Sequence, residues 1–154
     1  MLYYLPNARS PEQRAEMVRL ESEGVCIFCP QHYGREGGKV ILHANDTWSV
    51  AANDYPYSGT KHHLLLLPHD HVTSMAELSP AARDGFWEIL DRVRDDFGLD
   101  YFGLGSRNGD PRFTGATIMH LHVHIIVADP DYLGAAIALY LSSNPQLNAA
   151  PPSV

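Results

Sequence analysis

Three histidines alternate with aliphatic residues near the C-terminal end of the chain, in the run His120-Leu-His122-Val-His124-Ile-Ile. Successive side chains of an extended strand point to opposite faces, so this spacing predicts a strand over residues 116–127 with three imidazoles on one face. Such a face makes a poor core and an unusual surface, because half-buried strands more often direct Thr, Lys or Glu outward. Aligned imidazoles are suited to forming and breaking a bond to phosphorus, or to binding a metal ion.

Strand geometry separates these histidines into different tasks. Residues two apart on a strand lie about 6.6 Å apart at Cα, so His120 and His124 would be about 13 Å apart. One metal ion with bonds of about 2 Å to nitrogen would not easily bind both. His120 could therefore serve a metal site while His124 serves another purpose.

Cys26 and Cys29 are the only cysteines and form a C-x-x-C pair. In a cytosolic chain this spacing is typical of metal binding or redox chemistry before a structural disulfide. A tetrahedral zinc site would need two more ligands, and His120 with either His69 or His71 would complete it. The alternatives are a redox pair or two small buried hydrophobic residues.

Composition and charge limit the class of protein. The 154 residues suffice for a single domain over 1–154, and 45% hydrophobic against 19% charged residues is a globular balance. The net charge of −7 argues against a nucleic-acid-binding protein, but not against one that binds a small phosphorylated ligand. No apolar run approaches the ~20 residues of a membrane span, and the first residues lack the basic segment of a signal peptide. We therefore expect a cytoplasmic protein that binds neither nucleic acid nor membrane.

The elements that must position these side chains follow from capping residues and periodicity. Ser-Pro pairs at 10–11 and 79–80 begin two helices, which Gly24 and Gly98 end. Strands are predicted over residues 39–43, 48–52, 62–67, 101–105 and 116–127, and a short last helix over 132–141. Consecutive strands with few crossovers indicate an α+β fold with an antiparallel sheet.

The histidine run resembles the full HφHφHφφ signature of the histidine-triad (HIT) family of nucleotide hydrolases and transferases, where φ is an apolar residue. Other motifs of the family occur here in the same order along the chain: the C-x-x-C pair, His63, a Pro-x-x-His segment at residues 68–71, and Asn108-Gly109. The similarity covers about residues 26–127, which leaves 128–154 as a C-terminal extension. The resemblance implies a HIT-like α+β fold with about five antiparallel strands and two main helices. Residues 68–71 with Met75-Ala-Glu-Leu are also similar to galactose-1-phosphate uridylyltransferases, which are relatives in the same superfamily.

The resemblance also implies roles for the histidines. His122 resembles the nucleophile that attacks an α-phosphate and forms a nucleotidyl-imidazole, and neutral imidazole is chemically competent for this step. His124 would donate a hydrogen bond to the phosphate or leaving group, and His63 resembles the fourth histidine that the family places beside the triad. A histidine satisfied by backbone groups is the alternative for His63. The zinc-bearing branch uses two cysteines and two histidines, which correspond here to the structural zinc ligands Cys26, Cys29, His71 and His120.

The nucleotide-binding residues implied by the family are weaker matches. Asn53 or Asp54 lies where the family contacts the ribose, and Asn108 and Thr117 resemble groups that contact phosphate, although both loops are also ordinary turn sequences. Arg107 could supply positive charge. Two features depart from the pattern: Ala116 replaces a glutamine that many members use to hold the phosphate, and the loop over 53–63 is about two residues longer. Three apolar residues could line the pocket of the nucleotide base, although core packing is the commoner role of such residues: Ile27, Phe28 and Trp48.

Two functions remain compatible with the sequence. The first is an enzyme that cleaves or transfers a nucleotidyl group at the α-phosphate of a dinucleoside polyphosphate or a nucleoside phosphoramidate. The second is a zinc-stabilised nucleotide-binding or sensing module with little turnover, which Ala116 favours. The apolar residues of the second helix, including Trp87, exceed the needs of one face. That excess, with the family's habit of pairing two sheets, predicts a homodimer.

Overall fold

The computed structural model describes residues 1–35 and 38–143. These residues contain two main helices and one isolated helical turn: α1 (Pro11–Glu23), α2 (Pro80–Phe97) and α3 (Pro111–Thr114). They also contain five strands: β1 (Ile41–Ala44), β2 (Trp48–Ala52), β3 (Thr60–Pro68), β4 (Gly103–Ser106) and β5 (Val123–Ala128). The α+β class with a five-stranded antiparallel sheet and two main helices is confirmed.

Both main helices begin and end at their capping residues. The hydroxyls of Ser10 and Ser79 each accept a hydrogen bond from the backbone N–H three residues later, which satisfies a donor that the first turn leaves unpaired. Gly24 and Gly98 adopt φ of +65° and +60°, a left-handed conformation that residues with a β-carbon disfavour. Local sequence therefore sets the length of both helices.

The strands form one antiparallel sheet in the order β1-β2-β3-β5-β4. The two central strands carry the chemistry. Leu65 of β3 lies opposite His124 of β5, and on the other side of β5, Gly105 of β4 also lies opposite His124. His124 is thus held by hydrogen-bonded neighbours on both sides.

The two faces of the sheet bury different sets of residues. On one face α2 packs over the strands in the main core, which consists of Trp48, Val50, Leu64, Leu66, Leu78, Ala82, Phe86, Ile89, Leu90, Val93, Leu99, Leu121, Val123 and Ile125. On the other face Leu65 and Leu67 pack with the segment that carries the two cysteines and Phe28. Because side chains alternate along a strand, His63 and His124 lie on this second face.

The histidine strand is shorter than the sequence predicts. β5 begins at Val123, so only His124 of the three histidines lies in it. The residues before it bond to main chain outside the sheet, as in the 2.7 Å bond from Leu121 N to the Val72 carbonyl. A strand over the whole of 116–127 is therefore wrong, and a spacing of about 13 Å between His120 and His124 no longer follows from strand geometry.

The short helix predicted over residues 132–141 is also wrong. These residues form no regular element and lie instead against loops and the sheet edge. A β-carbon at Gly105 would lie only 2.1 Å from Leu139 Cδ2, so the absence of a side chain there is what lets the segment approach. The segment is held further along by Ser143, whose hydroxyl donates to the Pro111 carbonyl and accepts from Gly115 N at 3.2 Å. Contacts with β4 and the hydrogen bonds of Ser143 hold this segment in place, rather than hydrogen bonds within a helix.

Among the described residues, no helix combines the length and apolar character required to cross a membrane.

Candidate active site and metal centre

Cys26, Cys29, His71 and His120 come together in one cluster. One ligand atom from each lies within 4.8 Å of the others. His71 Nδ1 is 3.2 Å from Cys29 Sγ, and His120 Nδ1 is 3.5 Å from both sulfurs. In a tetrahedral zinc site with bonds of about 2.3 Å to sulfur and 2.0–2.1 Å to nitrogen, ligand atoms lie roughly 3.5 Å apart. The cluster therefore needs little adjustment to hold one metal ion.

Neighbouring main chain orients the ligands of this cluster. The Cys29 N–H donates to the Cys26 carbonyl at 3.1 Å, which turns the C-x-x-C segment so that both sulfurs face the same way. His120 Nε2 donates to the Pro68 carbonyl at 2.9 Å, so its Nδ1 lone pair faces the sulfurs. The ring nitrogen of His120 that faces away from the sulfurs thus makes the hydrogen bond that metal-binding histidines usually make.

His71, rather than His69, supplies the fourth group. The His69 ring lies 2.9 Å from the Ser49 hydroxyl and 3.0 Å from the Asp46 carbonyl, so both its nitrogens are engaged elsewhere. Of the four cluster residues His71 alone is exposed to solvent.

The donor set fits zinc. The two cysteines form no disulfide, and burial raises the pKa of the Cys26 thiol to about 12 and also raises that of Cys29. A bound cation reverses this effect because it stabilises the thiolate directly. Two sulfurs and two imidazoles match a closed, four-coordinate site, which is the structural kind.

His122 lies beside this cluster with one ring nitrogen committed. Its Nδ1 donates to the backbone carbonyl of His120 at 2.8 Å, which places the lone pair on Nε2. The ring is 6% exposed and meets Phe28 edge-on at 5.2 Å between ring centroids. Because both the carbonyl and the aromatic ring are buried, the imidazole has one orientation and one tautomer.

His124 connects His63 to Arg107. Its Nδ1 lies 2.9 Å from His63 Nε2, and its Nε2 lies 3.1 Å from Arg107 Nη1. At the far end, the Tyr57 backbone N–H donates to His63 Nδ1 at 3.1 Å. All three side chains are buried, and the His122 and His124 rings lie 5.0 Å apart.

This chain of contacts holds more donors than its acceptors can satisfy. His63 Nδ1 accepts from Tyr57, so a neutral His63 carries its proton on Nε2 and donates to His124. A neutral His124 then carries its proton on Nε2, where it faces an N–H of Arg107, a group that cannot accept. An acceptor between His124 and Arg107 would resolve the conflict, and it would leave the His124 Nε2 proton pointing at that acceptor.

The histidines are held neutral at physiological pH. The pKa values of His63 and His122 are both lowered to about 4, mainly by burial and to a smaller extent by the positive charges of Arg9 and Arg107. The pKa of His124 is also lowered, first by burial and then by the neighbouring His122 and Arg107. A neutral His122 keeps the lone pair that a nucleophile requires.

A small cavity of about 60 Å³ opens onto His122 and His124. The other predicted residues that line it are Ile27, Phe28, Asn53, Asp54 and Thr117. Trp48, by contrast, is fully buried in the core on the opposite face, where its indole N–H donates to the Ala82 carbonyl. Core packing is therefore the role of Trp48, whereas Phe28 and Ile27 reach the cavity.

Asn53 and Asp54 occupy the cavity wall in different ways. The Asn53 amide nitrogen lies 3.1 Å from His63 Nε2, so Asn53 contacts the histidine chain directly. The Asp54 carboxylate pairs with Lys39 Nζ at 2.5 Å. Lys39 is 4% exposed and lies over the Phe28 ring, so its charge is neutralised by Asp54 inside the wall of the site.

Asn108 does not reach the cavity. Its Oδ1 accepts from the Met75 N–H at 2.7 Å, so the side chain supports the turn at Met75–Glu77. The Ala116 carbonyl accepts from the Asn7 amide at 2.8 Å, and the Thr117 carbonyl accepts from Tyr4 N, also at 2.8 Å. These bonds tie the segment before His120 to the N-terminus of the chain.

Arg9, Lys39 and Tyr57 belong to the site but were not selected from the sequence. Arg9 lies just before α1, more than 110 residues from His122 in the chain, and no local motif marks it. Tyr57 lies in the loop between β2 and β3, and the extra length that the resemblance implies for residues 53–63 is the one sequence signal for it. Its ring packs on His63 at 4.5 Å and stacks on His124 at 6.0 Å between centroids.

Comparisons with known proteins agree with this geometry. A family model described as the HIT domain matches residues 36–131. The structure is similar to a histidine triad nucleotide-binding protein from Candida albicans, with a TM-score of 0.58 and 16% identity over 80% of this chain and 90% of that one. It is also similar to a histidine triad protein from Clostridium difficile, with a TM-score of 0.53 and 20% identity over 72% and 96%. At these identities the structural likeness bears on the fold alone. Comparison with curated protein sequences gave no significant match.

The range matched by the family model contains the histidines of the site. The matched range holds His63, His71 and all three histidines of the alternating run, whereas the two cysteines of the metal cluster lie before it. The match covers more than half of the chain, and the three histidines of the alternating run, His120, His122 and His124, are all buried. The chain therefore belongs to the HIT domain family.

Proposed function

We propose that this protein is a nucleotide hydrolase or nucleotidyltransferase that attacks the α-phosphate of its substrate with His122. The observation that supports this most directly is the 2.8 Å hydrogen bond from His122 Nδ1 to the His120 carbonyl. That bond leaves a lone pair on Nε2 at the cavity shared with His124. Burial keeps the ring neutral, so the nucleophile is present without a separate base.

The proposed reaction has two displacements at phosphorus. His122 Nε2 forms a bond to the α-phosphorus while the bond to the leaving group's bridging atom breaks, and the leaving group departs with that electron pair and takes up a proton. Water or another acceptor then attacks the same phosphorus, loses its proton and breaks the P–N bond, which restores neutral His122. With water as the acceptor, the product is a nucleoside monophosphate.

His124 and His63 assist this reaction from one side. Because His63 Nδ1 accepts from the Tyr57 N–H, His63 donates to His124 Nδ1, and the His124 Nε2–H points to a phosphoryl oxygen or the leaving atom. Such a donor stabilises charge that develops in the transition state. We assign His124 as this donor and His63 as the residue that sets its tautomer.

The nucleotide would lie across the cavity wall. Asn53 and Asp54 are placed for the ribose hydroxyls, with Phe28 and Ile27 nearby as apolar surface for the base. Arg107 and Thr117 would contact phosphate oxygens. Asn108 is left out because its side-chain oxygen is already bonded to the turn at Met75–Glu77.

We further propose that the four-residue cluster holds a structural zinc ion through Cys26, Cys29, His71 and His120. The ion would fix His120, whose carbonyl in turn accepts from His122 Nδ1. Metal binding and nucleophile orientation are thus coupled through one residue. The ion is assigned no part in the displacement at phosphorus.

Trapping of the covalent intermediate tests the proposal. Protein mixed with an α-³²P-labelled dinucleoside polyphosphate or phosphoramidate and quenched in alkali should retain label, and His122→Ala should retain none. His32→Ala, a histidine whose ring bonds to the Cys26 carbonyl away from the cavity, is the matched control and should retain label like the wild type. Nucleotide binding without any trapped label or turnover would favour the alternative, a zinc-stabilised nucleotide-binding module.

A further inference from the structure

Two arginine side chains converge on one phenol oxygen beside the histidines. Arg9 Nη2 lies 2.9 Å and Arg107 Nη2 3.2 Å from the Tyr57 hydroxyl oxygen, so both donate to it. The Arg9 guanidinium also lies over the Tyr57 ring, 4.7 Å from its centroid. The two arginines are 98 positions apart in the sequence, so this juxtaposition exists only in the fold.

The positive charge at this point has no counter-charge in the part of the chain that the structure describes. Within residues 1–35 and 38–143, neither Arg9 nor Arg107 forms an ion pair with a carboxylate. Arg107 is nevertheless 5% exposed, and its other partners are neutral: the Tyr140 carbonyl at 2.8 Å and His124. A buried cation without a counter-charge is costly, and a bound anion would offset that cost.

The side chains of Arg107, Tyr57 and His124 also carry more hydrogen-bond donors than the acceptors near them can satisfy. The Tyr57 oxygen accepts from both guanidinium groups, and among the described residues its own hydrogen has no acceptor. Arg107 Nη1 and the neutral His124 both present N–H groups to each other. Phosphate oxygens accept several hydrogen bonds from arginine at once, which is the geometry that a guanidinium pair favours.

The position of this group relative to His122 indicates which phosphates it would bind. Arg9 lines the same cavity as His122 and His124, while Tyr57 stacks on His124 and not on the nucleophile. The group therefore lies at His124, the residue to which we assigned the contact with the leaving group, rather than at the nucleophile.

We propose that Arg9, Tyr57 and Arg107 form a subsite for the phosphate groups of the leaving group, so that the substrates are nucleotides with an oligophosphate chain. This inference rests on the proposed function. It distinguishes dinucleoside polyphosphates, whose leaving group carries further phosphates, from nucleoside phosphoramidates, whose leaving group carries none. Arg107 would move from His124 to a bridging or terminal phosphate oxygen, and the His124 Nε2–H would face the leaving oxygen.

The test compares two substrates that share the same adenylyl group, diadenosine tetraphosphate and adenosine 5′-phosphoramidate. Arg9→Gln and Tyr57→Phe should each lower the ratio of their kcat/KM values by about 10-fold or more, because one charge-assisted hydrogen bond contributes that much. Arg14→Gln is the matched control. It removes the same charge from an exposed position on α1 and should leave the ratio unchanged.

Direct binding of inorganic tripolyphosphate separates this inference from the proposed function. Calorimetry should show tripolyphosphate binding to wild-type protein that Arg9→Gln weakens by about 10-fold and Arg14→Gln does not. Binding with this pattern but without turnover of any nucleotide would reject the proposed function and keep the subsite. Equal affinity of wild type and Arg9→Gln, or an equal loss on both substrates, would overturn the subsite.

A second arm identifies the source of the phosphate. Turnover of diadenosine tetraphosphate is measured with and without inorganic phosphate. If Arg9→Gln slows both reactions equally, the subsite binds the leaving group. If it slows only the phosphate-dependent reaction, the subsite binds an acceptor phosphate and the proposal is wrong.

Discussion

Acidification should destabilise this protein partly through His63. Burial lowers the pKa of His63 to about 4 in the folded protein, whereas a histidine in the unfolded chain titrates near 6.5. Between these two values the unfolded state binds one proton more than the folded state, so the stability is present above pH 6.5 and is lost as the pH falls toward 4. From pH 7.5 to pH 5.0 this single group should remove about 2 kcal/mol from the free energy of unfolding.

His63→Gln isolates this contribution. The amide can accept from the Tyr57 N–H and donate to His124, as His63 does, but it does not titrate. Guanidinium denaturation at pH 7.5, 6.0 and 5.0 gives the free energy of unfolding of both proteins. Wild type should lose about 2 kcal/mol more than His63→Gln over this range.

Metal loss on acidification should affect wild type and His63→Gln alike. The quantity to compare is therefore the difference between their free energies of unfolding at each pH. If wild type and His63→Gln lose the same free energy within the error of the denaturant extrapolation, the ring does not titrate as its burial requires. The lowered pKa assigned to His63 would then be refuted.

The remaining predictions concern catalysis, metal and assembly. His124→Ala should slow turnover by roughly 100-fold but leave measurable activity, because it removes a hydrogen-bond donor rather than the nucleophile. Rapid-quench kinetics measures this rate, and an unchanged rate would exclude His124 as that donor. Elemental analysis should find about one zinc per chain, and a chelator should lower the thermal midpoint of the wild type but not of Cys29→Ser, which lacks a ligand. Protein purified without chelator and free of zinc would contradict the metal assignment. Sedimentation should give a homodimer of the 17.1 kDa chain, in keeping with the 63% exposure of Trp87 on α2, and a monomer at micromolar concentration would contradict it.

The elements with strong local signals were predicted well from the sequence. Both main helices have their ends where serine and glycine caps lie, because capping depends on hydrogen bonds within a few residues. The aliphatic run of β3 and the alternation of β5 after Val123 follow from the period of two along a strand. The start of β5 was missed because its preceding residues find hydrogen-bond partners at Leu2 and Val72, which are distant in sequence.

Residue types and spacing indicated the chemistry from the sequence alone: two cysteines and two histidines suited to one metal ion, and alternating histidines of which His124 joins His63 on one face of the sheet. Those properties belong to the side chains themselves and to strand periodicity. The tertiary structure decided which residues that are far apart in the sequence come into contact. It orients His122 through the His120 carbonyl, turns Asn108 away to the turn at Met75–Glu77, and brings Arg9 and Arg107 to Tyr57. A hydrogen bond between residues far apart in sequence leaves no local pattern, so the convergence of two arginines on Tyr57 beside His124 appears only when the chain is folded.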